Sequence, residues 1–272
     1  ILDKFIGDEI YNLTEVTGRL IEAPYEFKTL SNLSDFSIVF NTKESDWILE
    51  DTNSVAIVLA KVKPENWSSV VNKTFCICSN PRDVYAYLMN LGMESERGSW
   101  TKRDELSFIH PSAKIHPSTQ VCPNVYIDAG VEIGANCSVG FQGFGFGRLG
   151  DKGYRLDHSG GVSIGENSKI SNNVTVVSGT FQPTIVGKNV LVDDHVHIAH
   201  NCRVGHNSTL TAAATLSGSV TIGNGAWLGP NSSILNGSVL ADDVFVGIGA
   251  CVTKSFDSGI IAGNPAKKLR VS

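Results

Sequence analysis

The chain has 272 residues, 42% of them hydrophobic, which suffices for one large domain or two modest ones. A formal net charge of −5 argues against a nucleic-acid surface, and no apolar run approaches the roughly 20 residues that span a bilayer as a helix. Charged residues make up 18%, below the roughly 25% usual in soluble proteins, and glycine is frequent at 27 residues, a balance that suits repeated tight turns and buried flat faces.

The opening Ile1-Leu2-Asp3-Lys4 lacks the pattern of a secretory signal. The six cysteines, at 76, 78, 122, 137, 202 and 251, form no CxxC pair and no short secreted framework. Both features lead to the expectation of a cytoplasmic protein with free thiols. Residues 1–100 show no fixed period. Ser37-Ile38-Val39-Phe40 and Ser54-Val55-Ala56-Ile57-Val58-Leu59 read as strands. Pro81-Arg82-Asp83-Val84-Tyr85-Ala86-Tyr87-Leu88 reads as the start of a helix, with Asn80 as N-cap and Pro81 at the first helical position. These elements make a small α/β domain over 1–100, joined through the polar stretch Glu94–Glu105 to the rest of the chain.

Beyond that stretch an aliphatic residue recurs every six positions. The first run is Ile109, Ile115, Val121, Ile127, Ile133, Val139, and a short one comes next at Ile164, Ile170, Val176. From Val186 to Val252 the spacing holds for twelve consecutive hits, through Val192, Ile198, Val204, Leu210, Leu216, Ile222, Leu228, Ile234, Leu240 and Val246. Four positions after a hit stands a small residue, such as Cys202, Ser208, Ala214 or Ala226. A period of six fits neither the 3.6 of a helix nor the 2 of an ordinary strand. It fits a hexapeptide solenoid with three short strands per coil. The predicted fold is mainly β, a left-handed parallel β-helix over 101–272 with a small N-terminal α/β domain. An inserted loop at 140–163 and a phase offset at about 177–185 interrupt the helix. Cys137 and Cys202 fall in small inward slots, which makes them packing residues.

Two stretches carry chemistry. Gly140-Phe141-Gln142-Gly143-Phe144-Gly145-Phe146-Gly147 in the inserted loop is either a flexible hairpin anchored by aromatics or a hydrophobic cover for substrate or acyl chain. It is no phosphate loop, because neither a helical pattern nor a lysine follows the glycines. Asp193-Asp194-His195-Val196-His197-Ile198-Ala199-His200-Asn201 places Val196 and Ile198 inward, hence His195 and His197 outward, and His200 beside a corner. Coils stack at 18 residues, so Gly218 stands one coil on from His200. A histidine beside a glycine amide can supply a base and an oxyanion donor together, although an outward histidine is ordinarily just solvated.

Together these stretches resemble the UDP-3-O-acylglucosamine N-acyltransferase family through nearly the whole chain. The carriers are Val39-Phe40-Asn41-Thr42-Lys43 and Asn80-Pro81-Arg82-Asp83-Val84-Tyr85-Ala86, which look like its nucleotide-recognition domain, the loop Gly143-Phe144-Gly145-Phe146, and Asp193 to Asn201 ending Ile198-Ala199-His200-Asn201. The resemblance implies a homotrimer with sites in clefts between adjacent solenoids. It makes His200 the base that takes the proton of a sugar amine as nitrogen attacks a thioester, with the Gly218 amide holding the oxyanion. Histidine titrates near 6.5, which suits that task. Asp193 or Asp194 would orient an imidazole. Substrate contacts are implied for Asn41, Phe144, Phe146, His158, Asp194, His197, Asn201 and Asn236. No tightly bound cofactor and no metal are implied.

The chain departs from the family in three places. Near Asn41, where the family sandwiches uracil between aromatics, stand Ile38 and Glu44, and a second family histidine is replaced by Asn236. The ending Gly259-Ile260-Ile261-Ala262-Gly263-Asn264-Pro265-Ala266-Lys267-Lys268-Leu269-Arg270 resembles CoA-dependent sugar acetyltransferases, without the helices that engage acyl carrier protein. Acyl-CoA is therefore the favoured donor over an acyl carrier protein thioester, with Gly218, Ala262, Lys267 and Lys268 expected to contact it. The acceptor is expected to be a nucleotide-linked amino sugar for surface polysaccharide or lipopolysaccharide. Two other classes are compatible with the sequence: a metal-dependent hydratase using His195, His197 and His200, and a non-catalytic solenoid scaffold.

Overall fold

The computed structural model of the chain describes residues 13–17, 36–40, 55–60, 73–78, 80–86, 107–158 and 160–270. Contacts divide it into two compact units, Ile1–Trp100 with Phe144–Asp157, and Thr101–Gly143 with His158–Ser272.

In the first unit four strands form a mixed sheet. Val55–Ala60 lies between Phe36–Phe40 and Lys73–Cys78 in parallel, and Leu13–Thr17 pairs antiparallel with the outer edge of Lys73–Cys78. Both strands predicted in this region are present. A helix over 81–86 starts at Asn80, whose carbonyl accepts the Asp83 and Val84 N–H groups and whose side-chain amide bonds the Asp83 carboxylate. The antiparallel pair Phe146–Leu149 and Lys152–Arg155 belongs to this unit. Gly147 sits so close to that helix that an added Cβ would lie 2.7 Å from the Asp83 Cα. Tyr85 is buried, and burial together with the Asp157 carboxylate pushes its phenol far above the ordinary range.

The second unit is a left-handed parallel β-helix of about eight turns. Its strands, mostly two or three residues long, stack into three parallel faces. The first face runs through Ile127, Ile164, Val186, Val204, Ile222 and Leu240; the second through Ile133, Ile170, Val192, Leu210, Leu228 and Val246; the third through Val139, Val176, Ile198, Leu216, Ile234 and Val252. All twelve aliphatics from Val186 to Val252 are buried, and so are the small residues four positions after them, Cys202 and Ser208 through Ala250. Each full burial of a Leu or Ile contributes about 1.5–3 kcal/mol, so one such residue per strand can hold an otherwise polar chain in a coil. The stack thins at its start, where Ile109 is 44% exposed because no described coil lies beneath it. Corners carry Asn167, Asn189, Asn207 and Asn201 at positive φ, a conformation that asparagine tolerates better than most residues.

Two coils break the 18-residue register. Ile127 pairs with Ile164, and Val139 with Val176, 37 residues apart, because the loop predicted at 140–163 is inserted there. Ile164 then pairs with Val186 and Val176 with Ile198 at 22, so the offset predicted at 177–185 is four extra residues in one coil. Among the described residues no helix is long and apolar enough to cross a membrane.

Candidate active site

The corner between the third and first faces stacks His200, Gly218 and Asn236 on successive coils, as the register His197–Thr215–Ser233 requires. A Cβ on Gly218 would lie 2.4 Å from His200 Nε2 and 2.5 Å from Cε1. Glycine is therefore the residue that lets the imidazole lie over the backbone of the next coil. Among the described residues nothing accepts the Gly218 N–H, whereas its carbonyl takes the Gly237 N–H at 3.0 Å. At another corner the equivalent N–H groups are consumed by side chains of the coil above: Lys188 by His206 Nδ1 (2.8 Å), His206 by Asn224 Oδ1 (2.8 Å) and Asn224 by Asp242 Oδ1 (2.7 Å). Asn236 occupies the position that would cap Gly218. Its amide fits best with nitrogen donating to the Gly218 carbonyl at 2.9 Å and oxygen accepting from Gly237 N–H at 3.3 Å. The Gly218 donor stays available.

The imidazole of His200 is held at two further points. Asn201 Oδ1 stands 3.1 Å from His200 Nδ1 and also accepts the N–H and the hydroxyl of Thr180, each at 3.0 Å. Asn201 Nδ2 donates to the Gln182 carbonyl at 3.2 Å. An amide nitrogen can only donate to a carbonyl, and the Thr180 backbone N–H can only be accepted, so the orientation of the Asn201 amide is fixed. Its oxygen then faces His200 Nδ1, which must carry the proton, leaving the lone pair of the neutral ring on Nε2, over Gly218. The edge of His158 packs against the same ring, with centroids 5.2 Å apart at 63°. His158 is 2% exposed; Gln142 Oε1 accepts its N–H at 2.7 Å, Ser178 Oγ donates to its carbonyl at 2.8 Å, and Gly143 leaves room for its ring. Of the two rings His200 is therefore the more accessible.

Other sequence-predicted residues divide between this corner and elsewhere. His197 is half-buried in the strand before His200, and burial, then the nearby His200 charge, lowers its pKa. His195 is exposed at the preceding corner, φ 61°. Among the described residues no three His, Cys, Asp or Glu side chains gather closely enough to hold a metal ion. Asp194 does not orient His200: its Oδ1 accepts the Asn172 N–H (2.7 Å) and side-chain amide (3.1 Å), while Asp193 accepts the Asp194 N–H. The corner geometry sends the Asp194 carboxylate to the coil beneath and the Asp193 carboxylate back onto its own turn, and Asn201 does the orienting. Phe144 and Phe146 belong to the first unit, edge-to-face at 5.1 Å, with Phe144 almost fully exposed and Arg155 over Phe146. Asn41 lies outside the described residues.

Ala262, Lys267 and Lys268 lie at the last coil. An open groove of about 730 Å³ there is lined by Val239, Lys254, Phe256, Asp257, Lys267 and Lys268. Lys268 Nζ is already held by Asp257 Oδ1 (3.1 Å) and Ser258 Oγ (2.6 Å), and its hydrogen bond, then its charge, holds the Asp257 carboxyl below the usual range. Lys254 covers the Phe256 ring at 5.4 Å and Lys267 is exposed, so these two are the cations open to an anion. Sequence reasoning missed Thr180 and Gln182, and read Gln142 and Gly143 only as part of a glycine-rich loop; the break in period at 177–185, directly beneath the histidine coil, was the available signal for the first two.

Fold and corner together define a hexapeptide-repeat β-helix with a histidine lone pair beside an available backbone amide. No protein-family model matches the chain. In sequence it is similar to proteins named UDP-3-O-acylglucosamine N-acyltransferase. That of Bordetella parapertussis is 34% identical over 121 residues, covering 43% of this chain and 33% of the relative. That of Methylococcus capsulatus is 31% identical over 136 residues, covering 49% and 38%. The chain thus matches over about a third of the length of these curated relatives. Solved structures with a similar solenoid include the UDP-N-acetylglucosamine O-acyltransferase of Moraxella catarrhalis, 24% identical over 60% of this chain and 72% of that chain, TM-score 0.43. A UDP-N-acetylglucosamine acyltransferase from Bacteroides fragilis is 23% identical over 60% and 72%, TM-score 0.45.

Proposed function

We propose that the chain is an N-acyltransferase that moves an acyl group from a thioester to the amino group of a nucleotide-linked amino sugar, in the synthesis of a surface polysaccharide or lipopolysaccharide. The observation that carries this reading is His200, with Asn201 Oδ1 at its Nδ1 and its Nε2 beside the untaken N–H of Gly218. The amine nitrogen attacks the thioester carbonyl while His200 Nε2 removes its proton. The carbonyl oxygen, now an anion, is held by the Gly218 N–H. Collapse of the tetrahedral intermediate re-forms the carbonyl and breaks the carbon–sulfur bond, and the thiolate takes the proton back from His200. A positioned base contributes about 10²–10⁴-fold to such a step and an oxyanion donor about 10²–10³-fold.

The donor we assign is acyl-CoA. Arg203, Thr221 and Val239 stand in one column of the first face, so the groove at Val239 lies two coils from the level of His200, about 10 Å at the usual strand spacing. An extended thioester arm reaching from His200 along that face brings its phosphates to Lys254 and Lys267. The first unit is assigned to the nucleotide, with Asn41 as a contact, and Phe144 and Phe146 to the sugar or acyl chain. Asn236, His197 and His158 line the acceptor side. The working assembly is a homotrimer with this corner facing a neighbouring copy, in the cytoplasm. A second reading names the acceptor as UDP-3-O-acylglucosamine with an acyl carrier protein thioester as donor; the relatives' names favour that acceptor.

The test is thiol release from acyl-CoA and from acyl carrier protein thioesters of several chain lengths, each with UDP-3-O-acylglucosamine and a panel of nucleotide amino sugars. Turnover from acyl-CoA is expected. Turnover from the carrier protein alone would reverse the donor, and thiol release with no acceptor in the panel would remove the N-acyltransferase reading. Light scattering should give the mass of three chains; a monomer would remove the intersubunit site.

A further inference from the structure

The coil beneath His200 is 22 residues long instead of 18, and the extra residues converge on one side chain. Thr180 gives Asn201 Oδ1 its N–H and hydroxyl, Gln182 gives Asn201 Nδ2 its carbonyl, and Thr184 Oγ1 accepts the Asn201 N–H at 2.9 Å. Thr180 is 5% exposed and Thr184 fully buried. The Gln182 carbonyl is boxed in: a Cβ on Gly179 would lie 1.8 Å from it and one on Gly160 2.4 Å, so both neighbours have to be glycine for the carbonyl to stand there. A regular coil would offer Asn201 the ladder bonds of one rung and no cage for its amide. Nothing in the packing of the core calls for this device, since Val176 and Ile198 pair across it as elsewhere.

We propose that the four extra residues are a clamp that sets the tautomer of His200, with Thr180 as a positioning residue acting through Asn201. By holding the Asn201 amide with its oxygen toward Nδ1, the clamp keeps the imidazole proton there and the lone pair on Nε2. A histidine with its proton on Nε2 has no lone pair to offer an amine over Gly218. This inference rests on His200 as the base, but its first readout needs no substrate.

The experiment is nitrogen NMR of protein labelled in its histidine rings, above the pH at which they titrate, on the wild type, Asn201→Leu, Asn201→Asp and Thr180→Val. The wild type is expected to show His200 protonated on Nδ1. Asn201→Leu should populate the Nε2–H form and lower kcat by about 10²–10⁴-fold. Thr180→Val removes the hydroxyl and leaves the Thr180 N–H and His200 Nδ1 on Asn201 Oδ1, and a kcat loss of roughly three- to tenfold with little change in KM is expected from one lost hydrogen bond. Asn201→Asp keeps an acceptor at Nδ1 and adds a negative charge, so the tautomer should persist while the acid limb of the kcat profile moves to higher pH. A purely structural role for Asn201 would leave the tautomer unchanged in Asn201→Leu. The Nε2–H form in the wild type overturns the clamp, and so does an unchanged Nδ1–H population in Asn201→Leu. Should Asn201→Leu not fold, Asn201→Ala, which also removes the amide, takes its place. A tautomer that shifts with turnover unaltered upholds the clamp and instead removes His200 as the base.

Discussion

The coils from Val186 to Val252 and the stretch from Gly140 to Thr184 are built on opposite principles. In the first, every coil has 18 residues, every sixth side chain is a buried aliphatic, and each rung is replaceable by the next. In the second, one coil carries an inserted hairpin and another four additional residues, and buried polar groups such as His158, Ser178, Thr180 and Thr184 replace aliphatics. The regular coils supply position: they place His200, Gly218 and Asn236 in a column at one corner. The irregular stretch supplies orientation, through His158 against the ring and Thr180 and Gln182 on Asn201. Chemistry at a repeat surface needs a departure from the repeat, because identical rungs give identical corners.

The largest test of this division is His200 against its neighbours. His200→Ala should lower kcat by about 10²–10⁴-fold with a smaller change in KM for the sugar. His195→Ala and His197→Ala should be milder, as one is an exposed residue of the preceding corner and the other a half-buried residue of the strand. Steady-state kinetics of the three with one thioester and one amino sugar decides it. A collapse in His195→Ala or His197→Ala beside a normal His200→Ala would move the base to a ring that Asn201 does not hold and dissolve the comparison.

Gly218→Ala asks whether position alone matters. The glycine has no positive φ, so alanine costs the backbone little, but its Cβ meets the His200 ring at 2.4 Å. The ring must swing off the Gly218 N–H, and kcat should fall by about 10²–10³-fold while the melting temperature stays near that of the wild type. Near-normal turnover would show that this amide stabilises no oxyanion.

Legibility from sequence divides along the same line. The solenoid was legible because each coil repeats the same kind of residue in the same slot, and Gly218 came from His200 by counting 18. Counting fails across a break. Thr180 lies 21 residues before Asn201, so no fixed spacing announces that they touch, and the pairing of His158 with Gly143 is hidden by the insertion in the same way. Asp194, nearer in sequence to His200 than most candidates, looked like its orienting group; the turn geometry sends its carboxylate to Asn172. Proximity in sequence was a poor guide at a corner, where one residue's step reverses the direction of a side chain.

Smaller effects test the regular coils themselves. Ser208 and Ser232 both fill small inward slots and both are fully buried. Ser208 Oγ donates to the Gly223 carbonyl at 2.8 Å and accepts the Ala226 N–H at 3.2 Å, whereas Ser232 Oγ has no partner among the described residues. Ser208→Ala strands the buried Ala226 N–H and leaves the half-buried Gly223 carbonyl unpaired and should cost about 1–3 kcal/mol, while Ser232→Ala should be neutral or slightly stabilising. Denaturant unfolding of the two variants checks it, and equal losses would mean that the slots are governed by volume alone.

The smallest expected effect concerns His197, whose pKa the fold lowers, chiefly by burial and further by the charge of His200. A depressed value means that the unfolded chain takes up the proton first as pH falls. Its contribution to stability is therefore fully present above about 6.5, the unfolded value, and is lost as pH falls from there through the lowered folded value. Thr175 and Thr215 flank His197 in the same column of the third face, so His197→Thr continues an existing ladder without altering the core beneath. Relative to the wild type the variant should lose stability less steeply between neutral pH and the folded titration, with the two curves parallel above neutrality. Urea midpoints measured across that range give the comparison directly. An unchanged slope would mean that His197 is solvated and that its half-burial does not disfavour its charge.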